Sequence, residues 1–173
     1  KKIWENNFEV AVHVIGDEAA HQVVKVASEL YKENTRGRLN LEHAEMLRTE
    51  TIAYMRNIDV VCQMQPCHWL SDKVWARQKL QDLFQYLFRW NELEKNNIPF
   101  YFGSDSPIEP PSLRRNLLAV FDAESEGIES TLNSPIVYMQ NSSVDWMPNC
   151  YSIIEAGEVV KTVFNNNTVF TRV

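Results

Sequence analysis

Cysteine is scarce in this chain of 173 residues, which contains three of them, at positions 62, 67 and 150. An odd and sparse set of cysteines does not form a disulfide framework, so we expect a reducing environment and a cytoplasmic location. No second pair of cysteines or histidines with zinc-ribbon spacing accompanies Cys62 and Cys67, which argues against a zinc site built from cysteine. Apolar runs are also short, and none approaches the length of a membrane span.

Positive charge is in short supply as well. The 17 Lys and Arg residues stand against 23 Asp and Glu, which gives a formal net charge of −6. This balance argues against nucleic acid or an anionic membrane surface as a partner. Residues 1–7 have no apolar core and no initiator methionine, so we do not expect a signal peptide. They are typical of the end of a helix cut from a longer chain.

Strand-like and helix-like stretches alternate through the first part of the chain. Apolar runs typical of strands occupy residues 8–15, 38–43, 59–64 and 98–102, as expected for parallel strands buried on both faces. Apolar residues at helical spacing predict a helix from residue 17 to about residue 34. The alternation favours a parallel sheet with right-handed crossovers. Four units of roughly 30 residues are about half of an eight-fold β/α barrel.

Helix ends have recognisable residues. Asp17 is predicted to cap the first long helix and Gly37 to end it, while Thr49 can cap a short helix over 50–56. The stretch from Ser71 to Trp90 is rich in aromatic residues. Those aromatic side chains either pack in the core or line a substrate pocket, and the sequence leaves both interpretations open.

The pattern changes after residue 112. A helix is predicted over 113–124, and two short β runs around an Asn turn predict a hairpin over 159–170. We therefore divide the chain into a partial barrel at 1–125, an irregular linker at 126–158 and a β-hairpin at 159–173.

Three residues with ligand chemistry follow or end predicted strands. His13 lies in an apolar run that ends in Gly-Asp, His43 ends the second run, and Asp105 follows the fourth run after Gly-Ser. In α/β folds, the carboxyl ends of parallel strands carry the chemistry. Two imidazoles and a carboxylate suit a divalent metal. Alone, each residue has a simpler interpretation: a satisfied core histidine, or an Asp that caps a helix or forms a turn.

Four motifs in order resemble the metal-dependent amidohydrolase superfamily, and in particular the branch that contains N-substituted formamide deformylases. They are Val-His-Val-Ile-Gly-Asp at 12–17, Leu-Glu-His-Ala at 41–44, Gln-Pro-Cys-His-Trp-Leu-Ser-Asp at 65–72 and Phe-Gly-Ser-Asp-Ser-Pro-Ile-Glu-Pro-Pro at 102–111. The resemblance implies an α/β fold: the second half of a (β/α)₈ TIM-type barrel, strands five to eight. It also implies that the C-terminal hairpin belongs to an accessory β-sandwich.

The resemblance also implies roles for residues. His13 and His43 match metal ligands, and Asp105 matches a metal ligand that also acts as the general base. The implied cofactor is a divalent metal, with zinc favoured, that activates a water. Asp17 and Glu42 become candidates for orienting the ligands, although a capping or surface role fits them equally well. His68 and Glu109 become candidates for contacting a small-molecule substrate, with a turn-packing role open for His68.

Departures from the family pattern are large. The His-x-His pair after the first strand and the bridging Lys or Glu after the fourth strand are absent, and His21 cannot supply either. We therefore expect a C-terminal fragment of a hydrolase that acts on non-peptide C–N bonds in amides, formamides or cyclic amides. Two alternatives stay open. One is a catalytically incomplete half barrel with a binding or structural role, and the other is a two-layer α/β domain with a different ligand at the strand ends.

Open sheet edges of a half barrel invite pairing with another chain. We therefore expect a homodimer, or association through the open barrel edges at 8–15 or 98–102.

Overall fold

The computed structural model describes residues 1–128, 132–139 and 149–172. Six α-helices are present in these ranges: α1 Lys2–Glu5, α2 Asp17–Lys32, α3 Thr49–Met55, α4 His68–Leu80, α5 Trp90–Lys95 and α6 Leu113–Ser125. Two 3₁₀ helices occupy Gln81–Tyr86 and Pro135–Met139. Within the described ranges, no helix combines the length and the apolar character needed to cross a membrane.

Seven strands form two separate sheets in the residues that the structure describes. The strands are β1 Val10–Val14, β2 Leu39–His43, β3 Val60–Met64, β4 Phe100–Phe102, β5 Tyr151–Glu155, β6 Glu158–Phe164 and β7 Asn167–Thr171. The first sheet has the order β1-β2-β3-β4, and every pair in it is parallel. Because helices connect its strands, the predicted β/α alternation and parallel sheet are confirmed. The half barrel stays a prediction.

The two faces of the parallel sheet differ sharply. One face carries Leu39, Leu41 and Met64, which are almost completely buried in the core. The other face is polar, and strand register aligns four side chains across it, one from each strand: His13, Glu42, Gln63 and Tyr101. His13 is exposed and the other three are half-buried. The expectation that these strands are buried on both faces is therefore wrong within the described residues.

Helix α2 packs on the sheet through small and branched residues at helical spacing, with Ala20, Val24 and Ala27 buried. Two predicted ends of this helix are wrong. Gly16, not Asp17, is the N-cap residue. The Asp17 carboxylate accepts a hydrogen bond from Arg48 instead of capping the helix. Beyond the C-terminus, Asn34 takes the left-handed conformation expected of Gly37, with φ 61°.

Gly37 has a packing role instead. A Cβ atom built at Gly37 would lie 2.3 Å from the ring of Trp4, a distance that real Cβ atoms do not reach. Trp4 is buried and donates its indole N–H to the carbonyl of Arg38. Thr49 also differs from its predicted role, since Arg48 is the N-cap residue of α3 and caps it without a side-chain hydrogen bond.

The aromatic-rich segment packs into the core. Trp69, Phe84, Phe88 and Trp90 are buried and form a chain of edge-to-face and tilted ring contacts. Ring centroids in these contacts lie 5.2–6.3 Å apart, the range that aromatic pairs prefer. The core interpretation of this segment is therefore the one that the structure supports.

The second sheet is antiparallel, in the order β5-β6-β7. The pairing of β6 and β7 confirms the predicted hairpin, but β5 lies inside the stretch assigned to an irregular linker. The turn between β5 and β6 holds Ala156 at φ 50° and Gly157 at φ 79°. Consecutive positive φ values are typical of tight hairpin turns, so the Ala-Gly pair was the feature that could have revealed β5. The proposed division into three segments stays a prediction.

The 3₁₀ helix Pro135–Met139 lies against β4. The ring of Tyr138 stacks on Phe100 with centroids 4.0 Å apart, and Met139 lines a cavity together with Tyr101 on the other face of the strand. The stack on Phe100 places this helix beside β4. In the described part of the chain, β1 pairs with β2 alone and β4 with β3 alone.

Candidate metal centre

The loop after β2 has an unusual backbone. His43 ends β2 with φ 74°, and Ala44 follows with φ 47°. A non-glycine residue in this left-handed region costs roughly 1–3 kcal/mol and persists where its surroundings hold it. Backbone hydrogen bonds from Ala44 to Val14, 2.8 Å, and from Met46 to Ile15, 3.1 Å, hold this loop against β1. The loop thereby places a histidine and a glutamate at the carboxyl end of the sheet.

The ring of His43 has a fixed tautomer. Its Nδ1 lies 2.9 Å from Oε1 of Gln65, and Nε2 of that glutamine donates to the carbonyl of Gln63 at 3.0 Å. Because a carbonyl only accepts, the amide of Gln65 must present its oxygen to His43. His43 therefore carries its proton on Nδ1 and leaves the Nε2 lone pair free. The imidazole is buried, at 7% exposure.

The second pair joins the half-buried His68 to the buried Glu45. His68 opens α4, and its Nδ1 donates to Oε1 of Glu45 at 2.9 Å. Its Nε2 is buried and has no hydrogen-bond partner among the residues that the structure describes. The hydrogen bond to Glu45 raises the pKa of His68 above its usual value, and the charges of Asp105 and Asp72 add to this effect, whereas burial opposes it.

Three histidines lie side by side at this end of the sheet. The ring centroids of His13 and His43 are 4.4 Å apart with an interplanar angle of 75°. Those of His43 and His68 are 5.8 Å apart and nearly parallel, at 24°. The structure thus brings the two predicted histidine ligands together and adds a third imidazole.

Asp105 lies on the loop after β4, exposed and with φ 54°. It lines a cavity of about 520 Å³ together with Glu42, Gln65 and Tyr101. Its effect on the pKa of His68 places its charge near the histidines. The pKa of Asp72 is raised, mainly by burial and by the charge of Glu45.

Two other predicted site residues are held in ion pairs. Asp17 accepts from Nε of Arg48 at 2.6 Å, and Glu109 accepts from Arg115 at 2.8 Å. Both arginines come from loops or helices near the ends of the strands, so these pairs tie the loops after β1 and β4 to their neighbours.

Sequence reasoning missed Glu45 and Gln65. Glu45 is the second residue after His43, which ends β2, and Gln65 follows β3 directly and precedes Pro66. These positions next to strand ends were visible in the sequence. Their partners are 22 and 23 residues away along the chain, and local patterns do not reveal contacts of that length.

The cluster has the chemistry of a cation site. One ligand atom from each of His43, Glu45 and His68 lies within 4.8 Å of the other two. Two imidazoles and a carboxylate are ligands that zinc and other first-row divalent ions take. The unpartnered buried nitrogen of His68 fits the same group, because a bound cation would satisfy it. Within the part of the chain that the structure describes, this group of three does not include His13 or Asp105.

Comparison with known proteins agrees with this chemistry. The model of a family described as "Amidohydrolase family" matches residues 1–121. A curated relative from Bacillus subtilis (strain 168), named "Putative amidohydrolase YtcJ", is 34% identical over 111 residues. The match covers 64% of this chain, and the chain spans 21% of the length of that relative.

Two solved structures are similar as well. One is described as an uncharacterized metal-dependent hydrolase from Pyrococcus horikoshii OT3, with a TM-score of 0.58 and 26% identity. It covers 71% of this chain, which matches 24% of that protein. The other, an uncharacterized metal-dependent hydrolase from Pyrococcus furiosus, has a TM-score of 0.52 and 29% identity, with coverages of 65% and 23%.

Proposed function

This chain belongs to the amidohydrolase family, and from that premise we propose that it is the C-terminal part of a metal-dependent hydrolase. The longer protein would hydrolyse non-peptide C–N bonds in amides, formamides or cyclic amides. The observation that carries the proposal is the histidine cluster at the carboxyl ends of parallel strands, where His68 keeps a buried Nε2 without a partner among the described residues. Two similar structures described as metal-dependent hydrolases support it.

His13, His43 and Asp105 would hold the cation, and we propose zinc. When bound, zinc supplies a positive charge that polarises the scissile carbonyl and lowers the pKa of water to about 7. The other parts of the reaction fall to the residues of the chain. Gln65 keeps the proton of His43 on Nδ1, so Nε2 stays a ligand. Asp105, exposed and on the cavity wall, would take a proton from water and deliver it to the leaving amine.

The cavity beside Asp105 suits a small-molecule substrate. Its volume is about 520 Å³, within the range of sites for small ligands. Glu42 and Gln63 provide polar groups on its wall, and we propose that Glu42 orients the ligands. Asp17 and Glu109 are held by arginines, so their proposed contribution is to shape the loops around the site.

A second candidate function is a catalytically incomplete module that keeps inherited site residues. The exposed position of His13 on the polar face of the sheet favours it, since strands from outside this chain would then complete the site. In either case, we propose that β1 pairs with a second copy of the chain, because among the described residues β1 pairs with β2 alone and leaves the backbone groups of its outer edge unpaired. Beside this edge is an apolar groove of about 420 Å³ that includes Trp4, Val23 and Leu30.

The test is the zinc content of the purified chain, measured by elemental analysis after dialysis. We expect near-stoichiometric zinc in the wild type and its loss in His43→Ala. His21→Ala is the matched control, because His21 is a half-buried histidine bonded to Thr51, 3.0 Å away and outside the cluster. A wild-type chain without zinc would refute the metal site as proposed.

Activity is the second measurement. The zinc-loaded chain and the longer protein are assayed for amine release from N-acyl, N-formyl and cyclic amide substrates. Hydrolysis by the longer protein alone supports the incomplete-module candidate for this chain. Zinc binding with no hydrolysis by either protein would contradict the proposed reaction.

A further inference from the structure

We infer that His68 is itself a metal ligand through Nε2, and that Glu45 is the positioning residue that makes it one. The inference rests on the proposed function only in requiring that a divalent cation occupy this cluster. It changes the ligand set, because the motif resemblance gave His68 a substrate contact and gave Glu45 no role.

The first step is the tautomer of His68. An ionised carboxylate only accepts hydrogen bonds, so the 2.9 Å contact with Glu45 places a proton on Nδ1. When the ring is neutral, this leaves a bare lone pair on Nε2. Metal-ligating histidines almost always donate their other N–H to a carboxylate, a carbonyl or water in this way.

The second step is the environment of the bare nitrogen. Nε2 of His68 is buried without a partner in the described residues, whereas buried polar atoms in proteins are normally satisfied. A core histidine with a structural role would have both nitrogens paired. The side chain of His68 is 13% exposed and that of Glu45 is 6% exposed, so bulk water offers little compensation. A cation would supply the missing partner.

The third step is the matching arrangement of His43. Gln65 holds the Nδ1 proton of His43 as Glu45 holds that of His68, so both rings keep a free Nε2. The rings lie 5.8 Å apart and nearly parallel. One ring nitrogen of His43 and one of His68 lie within 4.8 Å of each other. Two adjacent imidazoles with the same tautomer are therefore close enough to share one cation.

Charge favours a cation at this position. Asp105 and Asp72 are near enough to act on His68 electrostatically, and Glu45 is buried beside it. Three carboxylates around two imidazoles give the cluster a negative character that a divalent ion would balance. The same carboxylates would repel an anionic substrate group, which argues against His68 as its binding partner.

The experiment measures zinc affinity by competition with a chromophoric chelator. His68→Asn is the informative variant, because the Asn amide can still donate to Glu45 but lacks Nε2. We expect it to weaken zinc binding by more than about 100-fold, beyond the cost of losing an orienting residue. Glu45→Ala is expected to weaken binding by about 10–100-fold, and Glu45→Gln, which keeps an acceptor, to stay closer to the wild type.

Folding and coordination are measured on the same samples. Circular dichroism and thermal melting with chelator present show whether each variant folds, with His21→Ala as the control. The visible spectrum of the cobalt-loaded chain reports coordination directly, and His68→Asn should change its position and intensity. A folded His68→Asn variant with wild-type zinc affinity and an unchanged cobalt spectrum would overturn the inference.

The outcomes separate this inference from the proposed function. Loss of zinc in His43→Ala but not in His68→Asn leaves the proposed function standing and removes His68 from the ligand set. Loss in both variants, with affinity retained in His13→Ala and Asp105→Asn, supports His43 and His68 and removes His13 and Asp105 from the ligand set. A wild-type chain that binds no zinc overturns both.

Discussion

Replacing Gln65 with leucine tests whether Gln65 keeps the proton of His43 on Nδ1. Gln65 is 6% exposed, and its amide makes two hydrogen bonds, to His43 and to the carbonyl of Gln63. The net contribution of one hydrogen bond to stability is about 1 kcal/mol, and a buried N–H left without an acceptor costs about 1–3 kcal/mol. We expect Gln65→Leu to lower the free energy of unfolding of the metal-free chain by about 2 kcal/mol.

The same substitution should weaken metal binding. Without Gln65, the proton of His43 is free to move to Nε2, and loss of such an orienting partner costs about 10–100-fold in affinity. At a zinc concentration 100 times the wild-type Kd, bound metal adds about 2.7 kcal/mol to stability. With the weaker affinity, the same concentration adds only about 0.4–1.4 kcal/mol.

The assay is urea unfolding with and without zinc, followed by circular dichroism. The control is Gln85→Leu, since Gln85 is exposed and its hydrogen-bond partner among the described residues, the carbonyl of Asp82, lies within its own 3₁₀ turn. It should leave the zinc-dependent gain in stability unchanged. If Gln65→Leu gains as much stability from zinc as the wild type does, the hydrogen bond to His43 does not control its ligand nitrogen and the reasoning fails.

Two further predictions concern stability and association. Hydrogen bonds from Lys73 and Trp69 lower the pKa of Asp122, so its stabilising effect is present above about pH 4, the unfolded value, and is lost as pH falls below it. Asp122→Asn should therefore flatten the loss of stability between pH 5 and pH 2 in acid unfolding curves, and an unchanged slope would contradict this. Ala11→Lys places a charge on an exposed position of β1 and should shift sedimentation equilibrium from dimer to monomer. Val169→Lys, at a 61% exposed site on the second sheet, should not, and a monomeric wild type would refute pairing through β1.

The sequence predicted those parts of the structure that depend on local patterns. Apolar periodicity and strand-like runs located β1 to β4 and α2 within a few residues. The adjacency of His13 and His43 followed from a general property of parallel sheets, whose carboxyl ends share one edge. These features required no knowledge of which loops meet.

Other features depend on contacts between distant residues. Asp17 has the composition and position of a helix cap, but Arg48, 31 residues away, takes its carboxylate. Glu45 became important only because α4 places His68 beside it. Strand β5 was missed because its side chains are mostly exposed, so it lacks the alternation of buried and exposed residues by which half-buried strands are recognised.

A sheet with two unlike free edges can add copies head to tail without limit, as filaments do. The 3₁₀ helix Pro135–Met139 packs beside β4 through the stack of Tyr138 on Phe100, whereas the proposed dimer would pair β1 with β1. Two identical edges that pair are related by a twofold axis, so such an interface is self-complementary and closes at two copies. The proposed dimer would therefore not extend into a fibre.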